Sequence, residues 1–343
     1  MEKHKDRAVA NLVKRSNKRL CEFIAAVEEI KEQLQETYED LDDKWRHGTS
    51  FVEMMLKDGC FLLGMGMTTL TILDQARWDD CRELWTRRPY LQQAWLPILS
   101  IRSDVVLMEN QLPLLLLQKL ADIAYPTNIF EELGLPINNW VVAILCPQVS
   151  NITPVDVNFL GLHHPLDVFQ KSTRGIRQHR QRPCRIQSAF VMPCAAELHE
   201  AGVHLKLSDA HGLAGGVTFK GGELNIPKIK LYDNAERIFL NLMAFERLHP
   251  GVGNGVMAFV VFLDLLIGTP KDVALLRSKG IIDSGLGSDE MVADLFNKIL
   301  TKVAIMSLDS SLFDVMHEVN AHCKKPWNKW RTVYTIVPFY KNK

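Results

Sequence analysis

Apolar residues in this chain recur mainly at intervals of three and four, but between residues 186 and 232 the interval falls to two. There Val203–Leu207, Val217–Phe219 and Glu223–Leu231 alternate apolar with polar, separated by Gly212, Gly215, Gly216, Gly221 and Gly222. Alternation sends successive side chains to opposite faces of a strand, whereas a spacing of three and four lines one face of a helix. Glycine supplies the turns between such short strands. The expected fold is therefore α+β and mainly α-helical: a helical domain with one small antiparallel β-sheet. Strands confined to one stretch, rather than alternating with helices, argue against a doubly wound parallel sheet.

The helical part begins with a stripe formed by Leu20, Phe23, Ile24, Val27, Ile30, Leu34, Tyr38 and Leu41. This predicts one long amphipathic helix over residues 8–44, packed on its own core; the sustained heptads of an intermolecular coiled coil are too few. A buried helix follows from Phe51 to about Met67. Asp104–Met108 is read as a helical turn, with Asn110 as N-cap, Pro113 in the first turn and a helix through Leu114–Ala124. Residues 126–160 hold four prolines and read as an irregular connection with a short helix near Asn138–Leu145. Further helices are expected at Ala195–Ala201, ended by Gly202, and at Ala235–Leu248. Thr269-Pro270-Lys271-Asp272 has the form of a capped start, with Gly280 as the stop. Ser288 caps a helix through Val303, and Leu312–Cys323 is the last. The organisation expected is a helical part over 1–170 and a sheet-plus-helix part over 186–343, integrated into one domain, with a basic loop at 171–185 between them.

Charge and cysteine usage narrow the function classes. Lys plus Arg and Asp plus Glu both number 40, so there is no global attraction to nucleic acid or to an anionic membrane. The charge is locally uneven: residues 171–185 carry Lys171, Arg174, Arg177, Arg180, Arg182 and Arg185 and no acid. Seven scattered cysteines with no CxxC read as reduced thiols in a cytosolic compartment rather than a disulfide framework. The longest apolar stretches, Gly59–Leu73 and Val256–Ile267, fall short of the roughly 20 residues that a spanning helix needs. The charged N-terminus is not a signal peptide. The expectation is a soluble, cytoplasmic chain with no transmembrane helix, the alternative being peripheral attachment at the plasma membrane through the basic run.

No catalytic constellation emerges. His199 and His204 stand five apart with Gly202 between them, whereas a zinc-protease helix needs its histidines four apart on one face. His163, His164 and Asp167 have no further ligand at metal-binding spacing and read as turn or capping residues. Gly251-Val252-Gly253-Asn254-Gly255 follows a helix rather than a strand and lacks the dinucleotide pattern, so it reads as a connection. There is no GxSxG and no nucleophile-specific cysteine signature. No catalytic residue, cofactor or metal is assigned. The candidate partner-binding loop is Lys171–Arg185: six positive charges steer an acidic partner, while the lack of interleaved aromatics argues against single-stranded nucleic acid.

Several phrases do carry a resemblance. They are Met55–Phe61 (MLKDGCF), Asp104–Pro113 (DVVLMENQLP), Ala196–Val203 (AELHEAGV), Ile226-Pro227, Asn241–Glu246 (NLMAFE), Asp272–Ile282 (DVALLRSKGII) and Pro326–Trp330 (PWNKW). In this order they resemble the plant family called domain of unknown function 247, also catalogued as uncharacterised protein family 0481. The Asp-Gly-Cys-Phe phrase fits a cap or turn within a buried element, and Glu-Asn-Gln-Leu-Pro starts a helix; neither pairs a nucleophile with a base. Members usually carry a leading Gly-Pro-Tyr-His phrase and a C-terminal spanning helix. Neither is found here, and Thr332–Lys343 diverges. Grass members are linked to self-incompatibility loci as pollen-side determinants, so the resemblance implies recognition or signalling through another protein. The alternative is a hydrolase-like enzyme whose site assembles only in space.

Overall fold

A computed structural model of the chain describes residues 2–39, 41–75, 104–125, 137, 140–141, 164–174, 192–209, 212–305 and 311–324. Two units divide it: Met1–Pro147 with Pro154–Phe169, and Gln148–Thr153 with Gln170–Lys343.

In the first unit the expected single helix over 8–44 is broken into α1 (Glu2–Ser16), α2 (Leu20–Glu29) and α3 (Lys31–Gln35). The first break lies at Asn17, which takes φ 55°, a left-handed conformation that ends a helix. Ser16 reinforces the stop by turning its hydroxyl back to the Val13 carbonyl at 3.0 Å. The apolar stripe still faces inward, with Phe23, Val27, Ile30 and Leu34 all buried. After the short α4 (Asp43–Arg46), α5 (Ser50–Gln75) runs beyond the expected Met67. It packs on α1, α2 and α6 (Leu114–Ala124). Leu114, Leu116, Leu117 and Leu120 of α6 are fully buried, each contributing about 1.5–3 kcal/mol of apolar transfer.

The Asp-Gly-Cys-Phe phrase lies in the middle of α5 rather than at a cap. A β-carbon on Gly59 would collide with Leu120 and meet Leu116 at 3.3 Å, so its glycine lets α6 approach. Nor is Asn110 the N-cap of α6. That place is taken by Pro113, and the Asn110 amide donates to the Asp104 carbonyl at 3.1 Å.

In the second unit α7 (Pro165–Arg174) contributes its last turn, and α8 (Ala195–Glu200) ends at Gly202, φ 83°, as expected. The sheet is mixed, not purely antiparallel. β2 (Thr218–Lys220) and β3 (Glu223–Pro227) form an antiparallel hairpin, but β1 (His204–Ser208) runs parallel to β3 on its other side. The hairpin turn is Gly221-Gly222, with φ 61° and 84°, the paired positive values of a tight primed turn. β1 and β3 have no such turn between them, since Asp209–Val217 and β2 intervene, so parallel pairing is open to them. The alternating stretch Glu223–Leu231 also splits. Pro227 lacks an N–H to continue the ladder, and β4 (Ile229–Leu231) pairs in parallel with β5 (Ile282–Ser284) in a second sheet.

Helices α9 (Ala235–Leu248), α10 (Gly255–Leu266) and α11 (Pro270–Ser278) follow. Helix α10 is apolar around most of its circumference, and Val256, Phe259, Val260, Phe262 and Leu263 are all fully buried, the expected place for such a helix. Ser288 caps α12 (Asp289–Asp294) through Met291 N at 3.2 Å, as its position suggested. The element then widens into a π-helical turn over Leu295–Ile299 and tightens to a 3-10 turn at Leu300–Lys302. Helix α13 (Ser311–Cys323) is the last described.

Two glycines of α5 separate close approach from helix propensity. Gly64 has open space where a β-carbon would stand. Gly64→Ala is expected to add roughly 0.5–1 kcal/mol to stability. Gly59→Val is expected to remove about 1–3 kcal/mol by overpacking against α6. Denaturant unfolding of both variants checks this; equal effects would remove the packing role of Gly59.

Candidate functional site

Three polar residues of the shared phrases, Gln111, Glu246 and Asp272, turn inward and bind other parts of the fold. Gln111 accepts from Leu166 N at 2.9 Å and donates to the Val105 and Leu107 carbonyls at 2.7 and 2.6 Å, while its own carbonyl accepts from the Tyr38 hydroxyl at 2.9 Å. Glu246 on α9 is buried, and its carboxylate accepts from Val256 N and Met257 N at 2.9 and 3.0 Å and from the Gln170 amide at 3.0 Å. It thus caps the N-terminus of α10, where unpaired amides and the helix dipole favour an anion.

Asp272 is fully buried and caps two helices at once. One oxygen accepts from Ala196 N in α8 at 2.8 Å; the other accepts the Thr269 amide and hydroxyl at 2.8 and 2.9 Å at the start of α11. Burial acts to raise its pKa, but the Ala196 amide, the Cys194 thiol and Thr269 outweigh it and hold the carboxyl below its ordinary value.

Other sequence candidates separate. His199 and His204 are both exposed, one in the last turn of α8 and the other opening β1. His164 sits edge-on to Tyr38 at 6.3 Å, and Asp167 is buried, while His163 lies outside the described residues. Among the described residues no group of three or more His, Cys, Asp and Glu could hold a metal ion. The glycine-rich 251–255 segment joins α9 to α10, with Gly255 beside Glu246. Burial pushes the Cys60 thiol up to about 12, and raises those of Cys194 and Cys323 as well. Such thiols are poor nucleophiles.

The basic run is corrected at its start. Lys171–Arg174 form the last turn of α7, not a loop, because Ser172 and Thr173 are buried and the Thr173 hydroxyl binds the Gln170 carbonyl at 2.7 Å. Arg177, Arg180, Arg182 and Arg185 lie outside the described residues.

The first unit carries a groove that spacing alone did not disclose. It has a volume of about 560 Å³ between α1, α2 and the start of α5. Asp6, Val9, Ala10 and Val13 line it from α1 at helical intervals; α2 presents Leu20, Ile24 and Glu28; Val52, Glu53, Leu56 and Lys57 come from α5. Leu20 is 44% exposed, unusually open for leucine in a helix that faces a core. Lys57 lies 2.7 Å from Glu53 and 3.2 Å from Asp6, and these two carboxylates hold its ammonium well above the ordinary lysine value. The available signal was the polar pair Ser16-Asn17. Once it breaks the stripe, α1 and α2 present separate walls.

A family model described as DUF247, plant protein of unknown function, matches residues 1–342. The UPF0481 protein At3g47200 of Arabidopsis thaliana is 24% identical over 351 residues, covering 96% of this chain and 70% of that protein. A second Arabidopsis protein, the putative UPF0481 protein At3g02645, is 35% identical over 136 residues, covering 37% of this chain and 25% of that protein. No solved structure matches.

Two measurements check the chemistry assigned here. Asp272→Asn is expected to cost about 1–3 kcal/mol at neutral pH by weakening two caps. Because the folded carboxyl titrates below the unfolded one, its contribution is complete above the unfolded value of about 4 and is lost as pH falls through the folded value. The gap between wild type and variant in urea unfolding should therefore close on acidification, and a gap that widens would reverse the assignment. With iodoacetamide at about pH 8, exposed Cys21 should label in the native chain and Cys60 only after unfolding. Peptide mass spectrometry reads both sites.

Proposed function

The chain belongs to the plant family DUF247, whose function is unknown, and from that premise we propose that it is a non-catalytic recognition protein that works by binding another protein. One observation supports this above the others. Three inward-facing polar residues of the shared phrases, half-buried Gln111 and buried Glu246 and Asp272, bind backbone groups of neighbouring elements. Such contacts specify a fold. Chemistry on a small substrate instead calls for a pocket with convergent polar groups.

Surface features then carry recognition, since they vary without unpacking a core. The groove of the first unit is one. The basic run holding Lys171, Arg174, Arg177, Arg180, Arg182 and Arg185 is another, suited to an acidic partner. Signalling or pollen-side self-incompatibility is the biological setting we propose. The location that goes with it is cytoplasmic, with peripheral attachment at the plasma membrane as the alternative. Among the described residues no helix is long and apolar enough to cross a membrane.

The test starts from a partner captured by proximity labelling in pollen and rebuilt with the chain from purified components. Replacing Arg174, Arg177, Arg180 and Arg182 with serine should weaken the complex on the order of tenfold at low salt and flatten its salt dependence. An unchanged complex would remove the basic run from the interface. Robust turnover of a small substrate, abolished by one Cys, His or Glu substitution, would replace recognition with catalysis.

A further inference from the structure

Groove walls made of helices, an apolar lining and uncompensated negative charge together narrow what the first unit can hold. We propose that the groove between α1, α2 and the start of α5 is the docking site for an amphipathic helix of the partner, with lysine or arginine along one edge of its apolar stripe. This rests on the reading of the chain as a protein-binding module and names the chemistry of what it binds.

The lining is apolar over Val9, Val13, Leu20, Ile24, Val52 and Leu56. Its volume of about 560 Å³ lies within the range of roughly 300–1,000 Å³ typical of ligand sites. A groove walled by helical side chains suits another helix, whose anchors recur at intervals of three and four.

Charge chooses among apolar occupants. The lining holds three carboxylates, Asp6, Glu28 and Glu53, and one ammonium, Lys57, a net of −2. Lys57 is already held by Asp6 and Glu53. A fatty acid or an anionic lipid would place negative charge against this excess, and a neutral small molecule would draw nothing from it. A basic-edged helix satisfies both the apolar lining and the carboxylates Asp6, Glu28 and Glu53 set within it.

The probe is a fluorescent designed helix of about 15 residues, with leucine at intervals of three and four and lysine flanking the stripe. Its twin carries glutamate in place of lysine. Fluorescence anisotropy with the full chain should show the lysine helix binding at least about tenfold more tightly than its twin, with the gap shrinking in high salt. Ala10→Trp, at an exposed position lining the groove, should abolish binding by filling it. Glu28→Lys, also exposed, should narrow or reverse the preference for lysine. Circular dichroism and thermal midpoints matching wild type establish that both variants fold. Equal affinity for the two helices, binding that survives Ala10→Trp, or displacement of the probe by oleate would each overturn the proposal. None of these outcomes touches the complex rebuilt with a purified partner, which judges the recognition reading by itself.

Discussion

A carboxylate removed from water costs several kcal/mol unless hydrogen-bond donors replace its hydration, and the second unit is arranged around meeting that demand. Glu246 leaves α9 and ends at the first amides of α10. The same Gln170 amide that reaches Glu246 also donates to the Val252 carbonyl at 3.1 Å, so the 3-10 turn at Pro250–Val252 is fixed along with the two helices. The most apolar helix of the unit is thereby aimed by a charge. Leucine, valine and phenylalanine would bury α10 in many rotations; the two donor bonds to Glu246 select one.

Local signals were legible and distant ones were not. Thr269 and Asp272 stand three apart, so the capping box of α11 can be read directly from the chain. The second bond of Asp272, to Ala196, spans 76 positions and leaves no local mark. Glu246 likewise has no local mark, because its partners lie on the following helix and on Gln170. The strands were legible from alternation, but their pairing was not. Hydrogen-bond direction depends on the path between strands, and β5, at three residues, is too short to show a period.

The groove illustrates the same limit. Each of its walls is an ordinary amphipathic segment, and what makes a site is their meeting, which no single stretch encodes. The break at Asn17 decides it. Without a left-handed residue there, α1 and α2 would continue as one rod with a single apolar stripe. The basic run was legible as charge but not as structure, since a helix built on Leu166, Phe169 and Thr173 runs into its first residues.

The double cap at Asp272 also bears on how the second unit breathes. A helix start that owns its cap can fray alone, at little cost to its neighbours. Here one side chain closes the starts of both α8 and α11, so releasing either leaves a buried carboxylate partly unsolvated and weakens the other. The two helix starts therefore form one cooperative opening unit. The Ala196 and Thr269 amides, distant in sequence, should then share one protection factor against solvent exchange.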